Sequence, residues 1–566
     1  MPRSAPPGPV PGAFGGKRAD VPAVGQDGRM GTPGRRRSWF GWGFEDEAVP
    51  AEDAAALARV LSERFGTSPV HTSPPRLDEV ALPQPRVRAG SAPLDLHQSP
   101  HDRAAHTYGK AYRDVARAFQ RRLDHPPDAV AYPGSEQQVA DLLDWAGDAG
   151  VALIPYGGGS SVVGGVEADL SGSADPDRPV VSVDLSGLSG VVEVDPVSRA
   201  ARIRAGTFGP DADVALRPHG LSMRHFPQSY EHSTVGGWVA TRSGGHFATG
   251  PTHIDDLVES VRAVTPVGVW ESRRLPGSGA GPSPDRLLLG SEGTLGVVTE
   301  VWLRVHQRPL WRSSASLAFD TLDSAVAATR ACAQSGLAPS NCRLLDPVEA
   351  QTAGTTDGRS LLLLGFESAD HPVQAWMERA VALGRDHGGT PRGPVRHTGP
   401  DRATSTGAGA VQAWREAFLR APYLRDALVA WGFVAETFET ACTWEAFPRL
   451  HARIVGDLQE ALARVCGGGQ VGMRMTHVYP DGAAPYYTVL APGRAGSLVA
   501  QWDEIKAAAG EAILAAGGTI THHHAVGRTH RPWYDRQRPE PFATALRAAK
   551  AAVDPHEVLQ PGLLTR

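Results

Sequence analysis

Apolar residues recur at helical spacing over Glu136–Ala149, at Val139, Leu142, Leu143 and Ala146, and the run 151–154 behind them is apolar throughout. The first pattern predicts an amphipathic helix and the second a buried strand. Short β-patterned runs follow at 180–185, 191–194, 201–206 and 261–265, each reading as a strand. Further on, residues 315–319 predict a strand that leads into a helix over 321–334. Two runs, 471–479 and 484–490, read as antiparallel neighbours. An alanine-rich helical stretch then precedes Gly517 and Gly518. Strand and helix periods are therefore both present over most of the chain, which reads as a mixed helix-and-strand (α+β) protein.

Three stretches lack this patterning. Residues 1–37 are rich in Pro, Gly and Arg and have almost no periodic apolar positions, so they read as a disordered extension. The stretches 354–360 and 396–409 are rich in Gly, Ser, Thr and Pro and read as loops. Residues 38–124 read as a helical region that includes an arm over 101–122 rich in Arg, His and Tyr. At 566 residues the chain exceeds what one hydrophobic core usually organises, so two or three domains are expected.

Three glycine-containing segments stand out. The first is Pro155-Tyr156-Gly157-Gly158-Gly159-Ser160-Ser161, placed just after the predicted buried strand. Glycines and serines there let backbone N–H groups and hydroxyls approach a pyrophosphate closely. The spacing fits neither a Rossmann fingerprint, since the sixth position from Gly157 is Val162, nor a Walker loop, since no Gly-Lys-Ser/Thr follows. Alone it would read as a glycine-rich turn. The second segment runs Gln228-Ser229-Tyr230-Glu231-His232-Ser233-Thr234 and on to Thr241-Arg242-Ser243-Gly244. The third is Glu292-Gly293-Thr294-Leu295-Gly296-Val297-Val298. The bland reading of Glu292 and Thr294 is a turn closing a strand.

Near the C-terminus lie three consecutive histidines, His522, His523 and His524. Each imidazole needs partners for two ring nitrogens and titrates near neutral pH. The run is therefore either a surface loop or a cluster that handles protons or anions.

The three glycine segments, in this order, resemble the vanillyl-alcohol-oxidase (PCMH) type of FAD-binding fold, in which such loops wrap an extended FAD. The triple histidine narrows the resemblance to the alkyldihydroxyacetonephosphate synthase family. Trp39-Phe40-Gly41-Trp42-Gly43-Phe44, Glu436-Thr437-Phe438-Glu439-Thr440 with Trp444, and Val553-Asp554-Pro555-His556 are similar to motifs of that family. The resemblance implies a PCMH-type FAD-binding domain over 125–308, an α+β substrate-binding cap over 309–520, and a segment 521–566 that returns the histidines to the flavin. It implies non-covalent FAD, held by the residues of the three segments. It implies that Arg474 binds a substrate phosphate, that Tyr486 is the acid/base, that Arg343 supports activity and that His522, His523 and His524 handle protons. Without the resemblance, Arg474 reads as a surface strand arginine, Tyr486 as a half-buried sheet aromatic, and Arg343 equally well as a salt-bridge partner of Asp346 on a helix turn. Tyr487 would point to the opposite face of the strand from Tyr486.

The implied reaction exchanges the acyl chain of acyl-dihydroxyacetone phosphate for a fatty alcohol through an adduct at flavin N5, with no net electron transfer. Three departures from the family pattern are visible: Gln228 stands where an aspartate is expected, Ala525 where a glycine follows the histidines, and 246–253 lacks a lysine-rich stretch. The alternative is an FAD-linked oxidoreductase of a 2-hydroxy acid or alcohol, against which the absence of a Glu-His-Gly motif counts.

Composition adds exclusions. The formal net charge of −5 gives no support for nucleic-acid binding. Four cysteines without Cys-x-x-Cys spacing indicate neither disulfides nor zinc and fit a reducing, cytoplasmic setting. No metal is expected. No run is long and apolar enough to span a bilayer, and no signal-peptide pattern is seen. Lipid substrates, peripheral membrane contact and a homodimer complete the expectation.

Overall fold

The computed structural model describes residues 36–68, 70–352, 357–400 and 421–565. The predicted disordered extension lies almost wholly outside the described residues. Its last residue, Arg37, is ordered in this structure: it bridges to Phe44 and donates to the His232 carbonyl at 3.3 Å.

The helix Glu136–Ala149 forms with the bounds the pattern predicts. Ser135 caps it by accepting the Gln138 N–H, and Gly150 ends it with a positive φ of 65°, a conformation glycine adopts without a Cβ clash. Val139, Leu142, Leu143 and Ala146 are its buried face. They pack on a four-stranded sheet ordered Leu96–His97, Ala129–Ala131, Val180–Asp184, Ala152–Tyr156. The last three strands run parallel, so every side chain of Val180–Asp184 is buried. A second, antiparallel sheet is ordered Val191–Asp195, Ala200–Arg204, Val297–Arg304, Val258–Thr265, Gly268–Glu271.

The third sheet carries nine strands among the described residues. Its main path runs Thr390–Pro391, Trp311–Phe319, Ser360–Ser368, Asn341–Leu345, Gln470–Val478, Gly482–Pro492, Phe433–Glu439. One face packs on the helices Leu322–Gln334, Gln374–Asp386 and Phe447–Cys466, giving the largest core. The other face is turned toward the glycine segments.

Two expectations need correction. Residues 38–124 are not mainly helical: Ala51–Phe65, Pro100–Ala105 and Tyr112–Phe119 are α-helices, but most of 66–95 is irregular. Seven prolines between 69 and 100 remove the backbone donors that a helix needs. The loop expected at 396–409 begins as a strand, since Arg396–Thr398 pairs with 312–314; its remainder from 401, like 354–356 of the other loop, lies outside the described residues.

The C-terminal segment folds back onto the flavin-type half. Leu153 donates its N–H to Val558 and accepts from Gln560 at 2.8 and 3.0 Å. Buried Lys550 pairs with Asp554 and donates to the Thr294 carbonyl at 2.8 Å, pinning the third glycine segment.

Candidate active site

The three glycine segments and the inner face of the large sheet enclose a cavity of about 1690 Å³, its open mouth included. The first segment is packed tightly against the second. A Cβ on Gly158 would lie 1.9 Å from the His232 carbonyl oxygen, and one on Gly157 would lie 2.4 Å from Thr234 Oγ1. Gly159 has φ +67°. Residues 155–161 all line the cavity, as do Gln228, Ser229, Ser233, Thr234, Thr241, Ser243, Gly244, Glu292, Gly293, Gly296 and Val298.

Other predicted cofactor residues do not reach it. Tyr230 stacks on Trp238 and donates its hydroxyl to Gly209 O. Glu231 is exposed. His232 turns to the Tyr423 hydroxyl at 2.9 Å. Arg242 is drawn away by Asp255, 2.7 Å distant. Thr294, Leu295 and Val297 are buried behind the cavity wall, with Thr294 Oγ1 bonded to Ser291 O.

Glu292 does more than close a turn. It is buried, has φ +52°, and accepts the N–H groups of Val526 and Gly527 at 2.9 Å. It thereby clasps the third glycine segment to the chain just past the histidines. Burial raises its carboxyl to about 7, against the pull of those N–H donors and of Arg528. Ala525, where a glycine was expected, keeps the glycine-like geometry at φ +71°.

On the large sheet, Arg474 and Tyr486 are cross-strand partners. The guanidinium carbon lies 3.9 Å from the ring centroid, and Arg474 also donates to Glu349 at 3.0 Å and Thr488 at 3.2 Å. Both residues line the cavity. Burial pushes the Tyr486 phenol above its usual range, opposed by the Arg474 charge and a hydrogen bond with Thr437. Tyr487 points the other way, stacks on Phe438 and bonds His451 at 3.2 Å. Arg343 lies on a strand, not a helix turn, and lines the cavity. Asp346 does not serve it: its oxygens accept the N–H groups of Glu349 and Met473. Burial, then the neighbouring Arg474 charge, lowers Arg343 to about 9.

The histidine run is organised by Glu439, the partner of Tyr486 on its other flank. This buried carboxylate accepts the backbone N–H groups of His522, His523 and His524 and the Thr521 hydroxyl. Burial works to raise it, but the adjacent His524 and His522 rings and those donors hold it down at about 2. His523 and His524 line the cavity, and the His523 ring stacks 6.1 Å from Tyr486. All three imidazoles fall below their ordinary range by burial, helped at His522 and His523 by the neighbouring histidines and opposed at His524 by Glu439. The expectation of rings that titrate near neutral pH is thus corrected: burial favours the uncharged form.

Sequence reasoning missed His477 and Arg425, which both line the cavity. His477 sits three residues from Arg474, an odd step that alternation assigns to the opposite face. A bulge between Met475 and His477 re-aims it. Arg425 belongs to a helix over 421–430 held by the Trp-Gly motif, through Trp42 N–H to Asp426 at 2.6 Å. No local pattern announces that contact across 384 residues.

The glycine walls, small hydroxyl side chains and adjoining Arg and His groups fit FAD: the loops expose backbone toward a long cavity, and side chains that would fill it are absent at Gly157–Gly159. The residues define a flavoprotein with an FAD-linked-oxidase architecture. A family model described as "FAD binding domain" matches residues 127–272, and one described as "FAD linked oxidases, C-terminal domain" matches 308–564. The chain is 30% identical to an alkyldihydroxyacetonephosphate synthase of Dictyostelium discoideum, covering 87% of this chain and 82% of that one. It is 28% identical to the synthase of Trypanosoma brucei brucei, over 82% and 77%. A solved alkyldihydroxyacetonephosphate synthase shares the fold with a TM-score of 0.75 and 24% identity, over 93% of this chain and 98% of the other. The chain belongs to the alkyldihydroxyacetonephosphate synthase family, and FAD is its cofactor.

Proposed function

We propose that this protein replaces the acyl chain of acyl-dihydroxyacetone phosphate with a fatty alcohol, forming an ether-lipid precursor. The observation that carries the reading is the Arg474–Tyr486 pair facing the cavity beside His523 and His524. When bound, FAD supplies the ring nitrogen chemistry the exchange requires. Arg474 offers planar paired donors to the substrate phosphate, with Arg343 adding positive potential nearby. Tyr486 moves the proton at the reacting carbon; its hydroxyl is held by Thr437 and its ring lies under a cation that favours the phenolate. Neutral His523 and His524 accept and return protons beside it.

Lipid substrates bring the enzyme to a membrane surface, and we infer peripheral contact there. No helix among the described residues is long and apolar enough to cross a membrane.

The test is incubation of the FAD-loaded protein with palmitoyl-dihydroxyacetone phosphate and isotopically labelled hexadecanol. Mass analysis should show the label in an ether product and free palmitate. Release of palmitate without ether, or bleaching of the flavin by 2-hydroxy acids, would overturn the reading in favour of hydrolysis or oxidation.

A further inference from the structure

The exchange reaction, on which this inference rests, has an unbalanced proton. The C–O bond to the acyl group breaks and its carboxylate leaves with the electron pair. The alcohol O–H bond breaks, a new C–O ether bond forms, and one proton is left over per turnover at neutral pH, where a carboxylic acid is ionised. The inner wall of the cavity is built of buried side chains, His477, Tyr486 and Arg343 among them, so a proton released there needs groups that carry it away.

A continuous line of side chains leads outward from the cavity wall. His523 lines the cavity. Its Nδ1 lies 3.0 Å from His522 Nδ1. His522 Nε2 in turn lies 2.7 Å from the Tyr479 hydroxyl and 3.1 Å from His253 Nε2. Tyr479 and His253 are both half-buried, so the line ends at two residues partly open to solvent. Thr252 Oγ1 steadies the Tyr479 hydroxyl at 3.2 Å. Each of these distances is a hydrogen-bond distance.

We propose that His523 and His522, with Tyr479 and His253 as alternative outer ends, form the relay that carries the released proton from the cavity to solvent.

The chemistry of the line supports this role. A neutral imidazole has one donor and one acceptor nitrogen, so it takes a proton at one and gives one from the other without holding net charge. Burial keeps His522 and His523 neutral. A proton received by His523 leaves from its Nδ1 to His522 Nδ1, and His522 gives up its Nε2 proton to Tyr479 or His253. The shared Nδ1–Nδ1 bond fixes the ring tautomers in series. With His522 protonated on Nε2, its Nδ1 accepts from His523 Nδ1–H, which leaves His523 Nε2 as the free base. Glu439 holds the backbone of all three histidines, and His477, bonded to Gly245 O at 2.7 Å, packs beside both relay rings. The rings are thus fixed in register rather than loose in a loop. The convergence of two outer partners on one His522 nitrogen also explains why the exit should tolerate loss of either one.

The test compares His253→Gln, Tyr479→Phe and the double variant in the ether-forming assay, each FAD-loaded. Neither side chain lines the substrate cavity, so FAD content and KM should stay at wild-type values. Each single variant should lose less than about threefold in kcat, and the double variant about tenfold or more, within the range seen for lost proton transfer. Added imidazole at tens of millimolar should restore the double variant and leave wild type unchanged, a response that a merely structural defect does not show. A double variant with wild-type kcat, or one whose loss imidazole does not repair, overturns the relay. Should the double variant fail to retain FAD, His522→Gln, which breaks the line upstream of both outer ends, takes its place: a loss that imidazole repairs supports the relay, and wild-type kcat or a loss that imidazole does not repair refutes it. If wild type makes no ether at all, the functional reading has failed instead, and that outcome is read from the wild-type lane alone.

Discussion

Arg474 and Tyr486 sit directly opposite each other on neighbouring antiparallel strands, with the guanidinium 3.9 Å over the phenol ring. The pair couples substrate binding to proton transfer: the cation that would meet a phosphate also stabilises a phenolate. Arg474 has a second partner in buried Glu349, so its removal strands a carboxylate.

Arg474→Ala should therefore have two separable effects. Loss of a charge-assisted contact to phosphate is worth about 1.5–3 kcal/mol, roughly ten- to a hundredfold in substrate affinity. Stability should also fall, because Glu349 is left buried and unpaired. Arg474→Ala combined with Glu349→Gln should recover the melting temperature but not the affinity, and the flavin spectrum should remain wild-type in both. Loss of FAD from either variant would contradict the placement of Arg474 on the substrate side.

Tyr486→Phe removes one hydroxyl from the cavity wall. FAD content should hold while kcat falls by about 10²–10⁴, the usual range for a general acid/base. Tyr487→Phe is the comparison. Its hydroxyl bonds His451 on the far face of the sheet, so it should cost about 1 kcal/mol of stability and little activity. Full activity in Tyr486→Phe would place the proton elsewhere.

Much of this was legible in the sequence for reasons of local physics. The helix Glu136–Ala149 carries its own cap, its own αL glycine and an unbroken apolar stripe, so nothing tertiary was needed to place it. Strand alternation put Tyr486 and Tyr487 on opposite faces, but that Tyr486 takes the cavity side came only from the family resemblance. His477 did not, because a one-residue bulge reverses the alternation and no composition rule marks it. The second glycine segment was over-read for a related cause. A run of polar residues looks uniformly ligand-facing, yet Tyr230, Glu231 and His232 form a short 3-10 turn that aims them away from the cavity. Burial was equally invisible: the histidines read as near-neutral titrators, and their pKa values are lowered because the fold encloses them.

Gly158→Asp should abolish FAD binding. Even a Cβ there would lie 1.9 Å from the His232 carbonyl oxygen, so the first two glycine segments would have to part. The added carboxylate would also repel a pyrophosphate. The variant should purify colourless and take up no FAD on dialysis; a yellow preparation would mean that this loop does not hold the cofactor.

Ala525→Gly should stabilise the protein. The left-handed conformation at φ +71° costs an alanine about 1–2 kcal/mol, partly offset by the extra unfolded-state freedom of glycine, about 0.5–1 kcal/mol. A net gain of up to about 1 kcal/mol should appear in denaturant unfolding with an unchanged m value. A loss of stability would show that the alanine methyl contributes packing larger than the strain.

Glu292 ties the third glycine segment to Val526 and Gly527, and its carboxyl is raised by burial to about 7 from an ordinary 4.5. Between these values the folded state binds more protons than the unfolded state, so stability from this group is complete below about pH 4.5 and is lost as pH rises through 7. The loss should be on the order of 3 kcal/mol. Buried histidines act in the opposite direction, since their lowered values lose stability as pH falls below 6.5. The difference between wild type and Glu292→Gln therefore isolates the carboxyl. The glutamine keeps a carbonyl acceptor for the two N–H groups but cannot titrate. Melting curves from pH 5 to 8 should show the variant gaining on wild type as pH rises, with the crossover in the upper half of that range. A constant difference across the series would mean that Glu292 is ionised throughout, held so by the N–H donors of the clasp.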